Sequence, residues 1–310
     1  MTQRSNKPVS PLVPGTPTIP PGQLVTVNQL QVHTTLAGQG APAMVLLHGS
    51  FLSAFSWREV LAPLATHRTV LAFDRIAFGQ TARPAVRHPW GHRAPDNPYR
   101  PEAQADLTVA LMDRFGLDTA VLVGSSTGGT VALLTALRHP SRVRALVLVG
   151  AMVYSGYPVS EIPLWVLPLL PNRLMSRVVG LVFRRAYASL LRSFWYDRAK
   201  MTPDVLATYQ SLLQVDHWSQ GIWELIRATH RLGLDERLGT ISVPSLVLTG
   251  EHDRTVPIEQ SVRLARELPN AHLVIIPECG HLPHEEQPER FVHEVGTFLA
   301  RLSQNAPQRC

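Results

Sequence analysis

The stretch AVLVGSSTGGT, residues 120–130, decides how this chain reads. An apolar run at 120–123 stops at Gly124, and beyond Gly128 and Gly129 apolar positions resume with a helical period. Gly124, Ser126 and Gly128 match the G-x-S-x-G pattern of a nucleophile elbow, a serine on a tight strand-to-helix turn. The spacing has a steric reason. Side chains two residues either side of the serine would collide where the helix leaves the strand, and glycine removes them. The turn lifts the Ser126 hydroxyl out of the sheet. It also sets the next backbone N–H at a helix N-terminus, where oxyanion charge is favoured. Ser125 lies outside the pattern and reads as a neighbour. Such a string is common by chance; the strand before it and the helix after it give it weight.

Working outward, further short apolar runs at 43–47, 69–73, 145–149, 245–248 and 273–276 read as strands buried on both faces of a parallel sheet. Helical patterns fall between them at 58–65, 102–115, 128–138, 258–268 and 288–302. Residues 24–36 alternate as one or two antiparallel edge strands. The result is an α/β fold, a mostly parallel central sheet with helices on both faces. From 151 to 238 the rhythm breaks into helix-like pieces at 161–170, 173–195, 203–215 and 219–231, an insertion that reads as a helical lid. The organisation is then a Pro-rich flexible arm (1–22), a first core part (23–150), the lid (151–238), a second core part (239–303) and a tail (304–310).

Composition excludes several classes. The chain has 310 residues and a formal charge of +6 carried almost wholly by arginine, with no arginine block suited to nucleic acid. Two cysteines, Cys279 and Cys310, are too few for a disulfide framework, which points to a reducing, cytoplasmic setting. No secretory h-region and no apolar run of membrane-spanning length is visible. No H-E-x-x-H or G-x-G-x-x-G pattern occurs, so no metal and no cofactor is expected.

A serine hydroxyl is a weak nucleophile and needs a base, and the base needs an orienter. The elbow rule puts a carboxylate and then a histidine later in the chain. The strand at 245–248 leads into a loop with Glu251 and Asp253, and that at 273–276 into Gly280-His281. Asp253, deeper in its loop, is preferred over Glu251. His281 is preferred over His284 and His252. The oxyanion donors are placed at the amides of Thr127 and Ser50, with Phe51 as second choice, and His48 is read as a brace for that loop. Phe51, Trp57, Trp165, His217 and Leu282 are candidates for a substrate pocket.

These motifs together resemble the α/β-hydrolase superfamily in its compact lidded branch: small carboxylesterases, meta-cleavage product hydrolases, haloperoxidase-like esterases and epoxide hydrolases. The segments that carry the resemblance are His48-Gly49 followed by Trp57, the Asp74 to Gly79 turn, Gly124 to Gly129, Gly250 to Pro257 and Gly280 to Pro288. It implies Ser126 as nucleophile, Asp253 as acid and His281 as base, with Ser50 and Thr127 as oxyanion donors. Serine at 126 disfavours dehalogenase and epoxide-hydrolase chemistry, which use aspartate there. Ala77 stands where glycine is common, and Thr127 where Met or Gln is usual.

The expectation is a serine carboxylesterase. Its substrate is a small-molecule ester with an apolar acyl or alcohol group, cleaved through an acyl-enzyme by a monomer or homodimer. The alternative is carbon–carbon hydrolysis of a vinylogous diketo acid by the same three residues, with Arg173, Arg177 or Arg192 of the lid meeting its carboxylate. A non-catalytic ligand-binding protein on this fold is the remote alternative. Peripheral contact of 161–183 with an anionic membrane, through Arg173, Arg177, Arg184 and Arg185, ranks behind simple packing of the lid on the core.

Overall fold

The computed structural model describes residues 22–85, 94, 96–154 and 172–304. The lid piece expected at 161–170, with Trp165, lies outside them, as do the arm at 1–21 and residues 305–310.

The chain opens with an antiparallel hairpin, β1 (Gln23–Val27) and β2 (Leu30–Ala37). Its two-residue turn places Asn28 and Gln29 at φ 49° and 64°, the left-handed pair that matches strand twist. The core then alternates: β3 (Ala43–Leu47), α1 (Leu61–Ala65), β4 (Val70–Phe73), α2 (Pro101–Arg114), β5 (Ala120–Ser125), α3 (Thr127–Arg138) and β6 (Val143–Val149). The lid helices α4 (Asn172–Ser193), α5 (Pro203–Ser211) and α6 (Trp218–Ala228) intervene. The core resumes with β7 (Ser245–Gly250), α7 (Ile258–Glu267), β8 (Ala271–Ile276), α8 (Pro283–Glu286) and α9 (Pro288–Gln304).

Among the described residues the strands form one sheet in the order β1-β2-β4-β3-β5-β6-β7-β8, parallel from β4 onward. The apolar runs explain why. Alternate residues of β3 and β5 enter opposite cores: Val45, Leu47 and Leu122 on the side of α2 and α3, and Met44, Leu46, Val121 and Val123 on the side of α1 and α9. Each such side chain contributes about 1.5–3 kcal/mol by leaving water. A strand with no wet face has no reason to alternate. A third cluster joins Tyr187, Leu191 and Phe194 of the lid region to Leu52 and Leu282 of the core.

The helix expected at 58–65 is shorter. It runs only from Leu61 to Ala65, and the loop before it contains a 3-10 turn at Ala54–Trp57, where Asp74 Oδ1 accepts the Ala54 N–H at 2.7 Å and the Ser53 hydroxyl accepts from Phe55 N–H. Strands β6 and β8 begin two residues earlier than their apolar runs, and β8, the outer strand of the sheet, is only partly buried, so its run is not covered on both faces as the sequence led one to expect.

Candidate active site

At the end of β5 the chain turns through Ser126, at φ 53° and ψ −121°. A side chain in this region costs about 1–3 kcal/mol and survives only where its surroundings enforce it. Here Ser126 N–H donates to Val149 O (2.8 Å), and Ser126 O accepts from Gly129 N–H and Met152 N–H. The flanking glycines are sterically required. A Cβ on Gly124 would lie 2.5 Å from Gly128 O, and one on Gly128 would lie 2.0 Å from Leu47 O.

The loop after β7 carries Asp253. Its Oδ1 accepts from the amides of Thr255 (2.8 Å) and Val256 (2.9 Å), which turns Oδ2 toward His281. His281 Nδ1–H donates to Asp253 Oδ2 at 2.7 Å, and both side chains are buried. That bond fixes the tautomer and leaves Nε2 as the acceptor. Gly150, the residue after the carbonyl that holds Ser126, lies against this pair. A Cβ there would be 2.9 Å from Asp253 Oδ2 and 3.1 Å from His281 Nδ1. Asp253 and His281 therefore meet beside Gly150, at the same carboxyl edge of the sheet on which β5 leads into Ser126. The rival residues sit elsewhere. Glu251 is half exposed, His252 stacks on Tyr196, and His284 is buried against Ser56 Oγ and the Trp57 ring.

The loop after β3 brings Gly49 against Ser126, where a Cβ would be 3.1 Å from Ser126 Cβ. Ser50 Oγ and Thr127 Oγ1 are 2.9 Å apart, so the two residues assigned as oxyanion donors are tied across the elbow. His48 braces this loop: Nδ1–H donates to Gly49 O and Nε2 accepts from Arg75 N–H. Burial, reinforced by the Arg75 charge, pushes the His48 pKa down to about 4, so the ring is neutral.

Arg75 itself was missed by reading the sequence, which took the Asp74 to Gly79 turn as backbone only. Its Nη1 donates to His48 O (2.7 Å) and Thr127 Oγ1 (2.9 Å), and Nε and Nη2 donate to Gln104 Oε1. An arginine directly behind an apolar strand, at the carboxyl edge of the sheet, was the available signal.

Arg75, Gln104, Thr127, Thr130, Met152 and Leu225 are among the walls of a cavity of about 520 Å³ between the elbow and α6. Its described walls reach Thr127 but not Ser126 or His281. A second cavity of about 20 Å³ lies under the lid between Phe51, Leu52, Phe78, Phe183 and Trp218. Of the other pocket candidates, Trp57 is fully buried against His284. Leu282 is buried in the lid-side cluster, and His217 is exposed at the start of α6. Arg173, Arg177 and Arg192 are exposed on α4. Among the described residues no three His, Cys, Asp or Glu side chains gather where a metal could be held.

The loop carrying His281 is clamped to the lid region. His281 N–H donates to Phe194 O (2.7 Å). The buried Glu286 carboxylate accepts from the amides of Gly280 (2.7 Å), Asp197 (2.7 Å) and Tyr196 (3.2 Å). Glu285 likewise accepts from Ser56 Oγ, Arg58 Nη1 and Tyr209 OH, the last from α5.

A family model described as the alpha/beta hydrolase fold matches residues 42–288, which holds every element of this site. The chain belongs to the α/β-hydrolase superfamily. Within it, the relatives place the chain in the meta-cleavage product hydrolase-like branch. It is 31% identical over 280 residues to a 2-hydroxy-6-oxononadienedioate/2-hydroxy-6-oxononatrienedioate hydrolase of Burkholderia vietnamiensis, covering 88% of this chain and 92% of the relative. It is 31% identical to a 2-hydroxymuconate semialdehyde hydrolase of a Pseudomonas species, covering 85% and 88%. The crystal structure of a meta-cleavage product hydrolase from Pseudomonas fluorescens superposes with a TM-score of 0.69 at 26% identity, covering 90% of this chain and 98% of that one.

An enzyme of the serine α/β-hydrolase type is thereby supported, but these relatives overturn the carboxylesterase assignment and the simple ester substrate expected from the sequence. They are named for oxo-dienoate and semialdehyde substrates. The error has a physical origin: a serine, histidine and aspartate so arranged suit either reaction, and the substrate is chosen by pocket walls that no motif encodes. Among the described residues no helix is long and apolar enough to cross a membrane.

Proposed function

We propose that this chain hydrolyses a carbon–carbon bond in a vinylogous diketo acid of the 2-hydroxy-6-oxo-dienoate class. The observation that carries the reading is the near full-length match to hydrolases of such acids. The buried Arg75 cation on the cavity wall beside Thr127 supports it, since an anionic substrate needs a counter-charge there.

In the keto form of the substrate, Ser126 Oγ attacks the remote ketone carbon while His281 Nε2 takes its proton. The amides of Ser50 and Thr127 hold the oxyanion, and Asp253 stabilises the imidazolium. Collapse breaks the carbon–carbon bond. The electron pair passes into the conjugated keto acid as a dienolate, which takes the proton from His281. Water, deprotonated by His281, then releases the acyl group from Ser126 as a carboxylic acid. The sum is substrate plus water giving one carboxylic acid and one hydroxydienoate. An ester leaving group needs no such electron sink, so the conjugated acid is what distinguishes this substrate.

The test is kcat/KM on a 2-hydroxy-6-oxo-dienoate, followed by loss of its absorbance, against short p-nitrophenyl esters. A preference for the dienoate, abolished in Ser126→Ala, is expected. A preference for the esters, or full dienoate turnover by Ser126→Ala, defeats the reading.

A further inference from the structure

We infer that the outward face of α4 is a docking surface for an anionic lipid bilayer. The inner side of this 22-residue helix is fully employed. Gly180, Tyr187 and Leu191 are buried, Phe183 packs on Phe51 with ring centres 4.7 Å apart, and Tyr187 OH donates to Phe51 O. The opposite side is apolar as well. Leu174, Val178, Leu181 and Val182, spaced to share one helical face, are 52%, 43%, 54% and 54% exposed. They account for four of the most exposed large apolar side chains, gathered on one element, and packing of the helix on the core leaves them unused.

The charge pattern selects the partner. From 172 to 193 the chain has five arginines (173, 177, 184, 185 and 192), all exposed, and no acidic residue. Some arginines elsewhere on the surface are paired, Arg138 with Asp106, Arg142 with Asp113, Arg263 with Glu267 and Arg290 with Glu294, while others such as Arg144, Arg254 and Arg266 stand singly among the described residues; α4 differs in gathering five on one helix beside an exposed apolar strip. Among the described residues none of the five on α4 meets a carboxylate. An apolar strip flanked by unpaired arginines, on a helix lying flat against the body, is the make-up of an interfacial helix. A second copy of this face would set arginine against arginine. A nucleic acid would match the charge and leave the leucines and valines wet. An anionic bilayer satisfies both, with phosphate headgroups on the guanidinium groups and acyl chains under the apolar strip.

The experiment uses the full chain and co-sedimentation with vesicles of phosphatidylcholine alone or of equal parts phosphatidylcholine and phosphatidylglycerol. Wild-type protein is expected to bind the anionic vesicles at low salt and to be released by high salt. Arg173→Gln with Arg177→Gln should weaken partitioning about thirtyfold. Leu174→Ser with Leu181→Ser should weaken it about tenfold, with turnover in the absence of vesicles and far-UV circular dichroism unchanged. Failure to bind anionic vesicles overturns the inference. So does binding that survives the leucine substitutions, which would be the attraction of a +6 protein and not of this face. A wild-type dimer that becomes monomeric with Leu174→Ser and Leu181→Ser would assign the face to a second copy and overturn it too.

Discussion

Adding one methyl group at Gly150 tests the site more sharply than removing a catalytic side chain. Gly150 sits at φ 49°, where alanine costs about 1–2 kcal/mol. The new Cβ would press on both ends of one hydrogen bond, 2.9 Å from Asp253 Oδ2 and 3.1 Å from His281 Nδ1. Ordinary contact would require each group to retreat by about half an ångström. A misplacement of about 1 Å can cost a hundredfold in rate, so about tenfold is the least expected for Gly150→Ala. Loss of the imidazole's orientation would extend this toward ten-thousandfold. The fall should lie in kcat with KM nearly unchanged, and the melting temperature should drop by about 2–8 °C. Gly116→Ala supplies the control: its φ is 67°, but a Cβ there meets nothing within 4 Å. It should show the stability loss alone. Steady-state kinetics, fluorophosphonate labelling and thermal melts on the two variants decide it. If Gly150→Ala keeps kcat within about twofold of wild type while Gly116→Ala melts early, then the Asp253–His281 contact does not control catalysis and the proposed triad is wrong.

Three further outcomes follow from the same geometry. Arg75→Met should raise KM for a dienoate about tenfold and leave that for a neutral p-nitrophenyl ester nearly unmoved; equal effects on both would make Arg75 a brace for Thr127 and not an anion anchor. The His48 ring titrates at about 4 when folded and near 6.5 unfolded, so the unfolded state binds more protons between these values and stability falls as pH falls through that window. The loss from this residue between pH 7.5 and 5 is about 2 kcal/mol, and urea unfolding of His48→Gln should show a correspondingly shallower pH dependence. Glu286→Gln turns an amide N–H toward the cluster of backbone N–H groups at Gly280, Tyr196 and Asp197. It should cost about 1–3 kcal/mol in urea unfolding and lower kcat by loosening the His281 loop; unchanged stability and rate would show that the clamp is dispensable.

The residues that were legible beforehand share a local signature. Gly124 is demanded by backbone contacts within the turn itself, while the need for Gly128 comes from Leu47 O at the end of β3; strands β3, β5 and β6 show as unbroken apolar runs because both faces are covered. Asp253 and His281 could be sought because each follows a short apolar run at the sheet's reactive edge. Arg75, Glu285 and Glu286 could not be assigned roles in this way. Their partners lie far along the chain: Arg58 and Glu285 are 227 residues apart, and Arg75 and Thr127 are 52. Trp57 has the same character, a bulky side chain whose place against His284 is set by α8 closing over it.

The sequence by itself determined the architecture and the chemistry of the nucleophile, because periodicity and turn sterics act over a few neighbouring residues. Only the tertiary structure decided which carboxylate meets His281, which charges face the cavity and which side of α4 is left to solvent. Those depend on where distant segments are brought by the sheet, and no local pattern of residues records that distance.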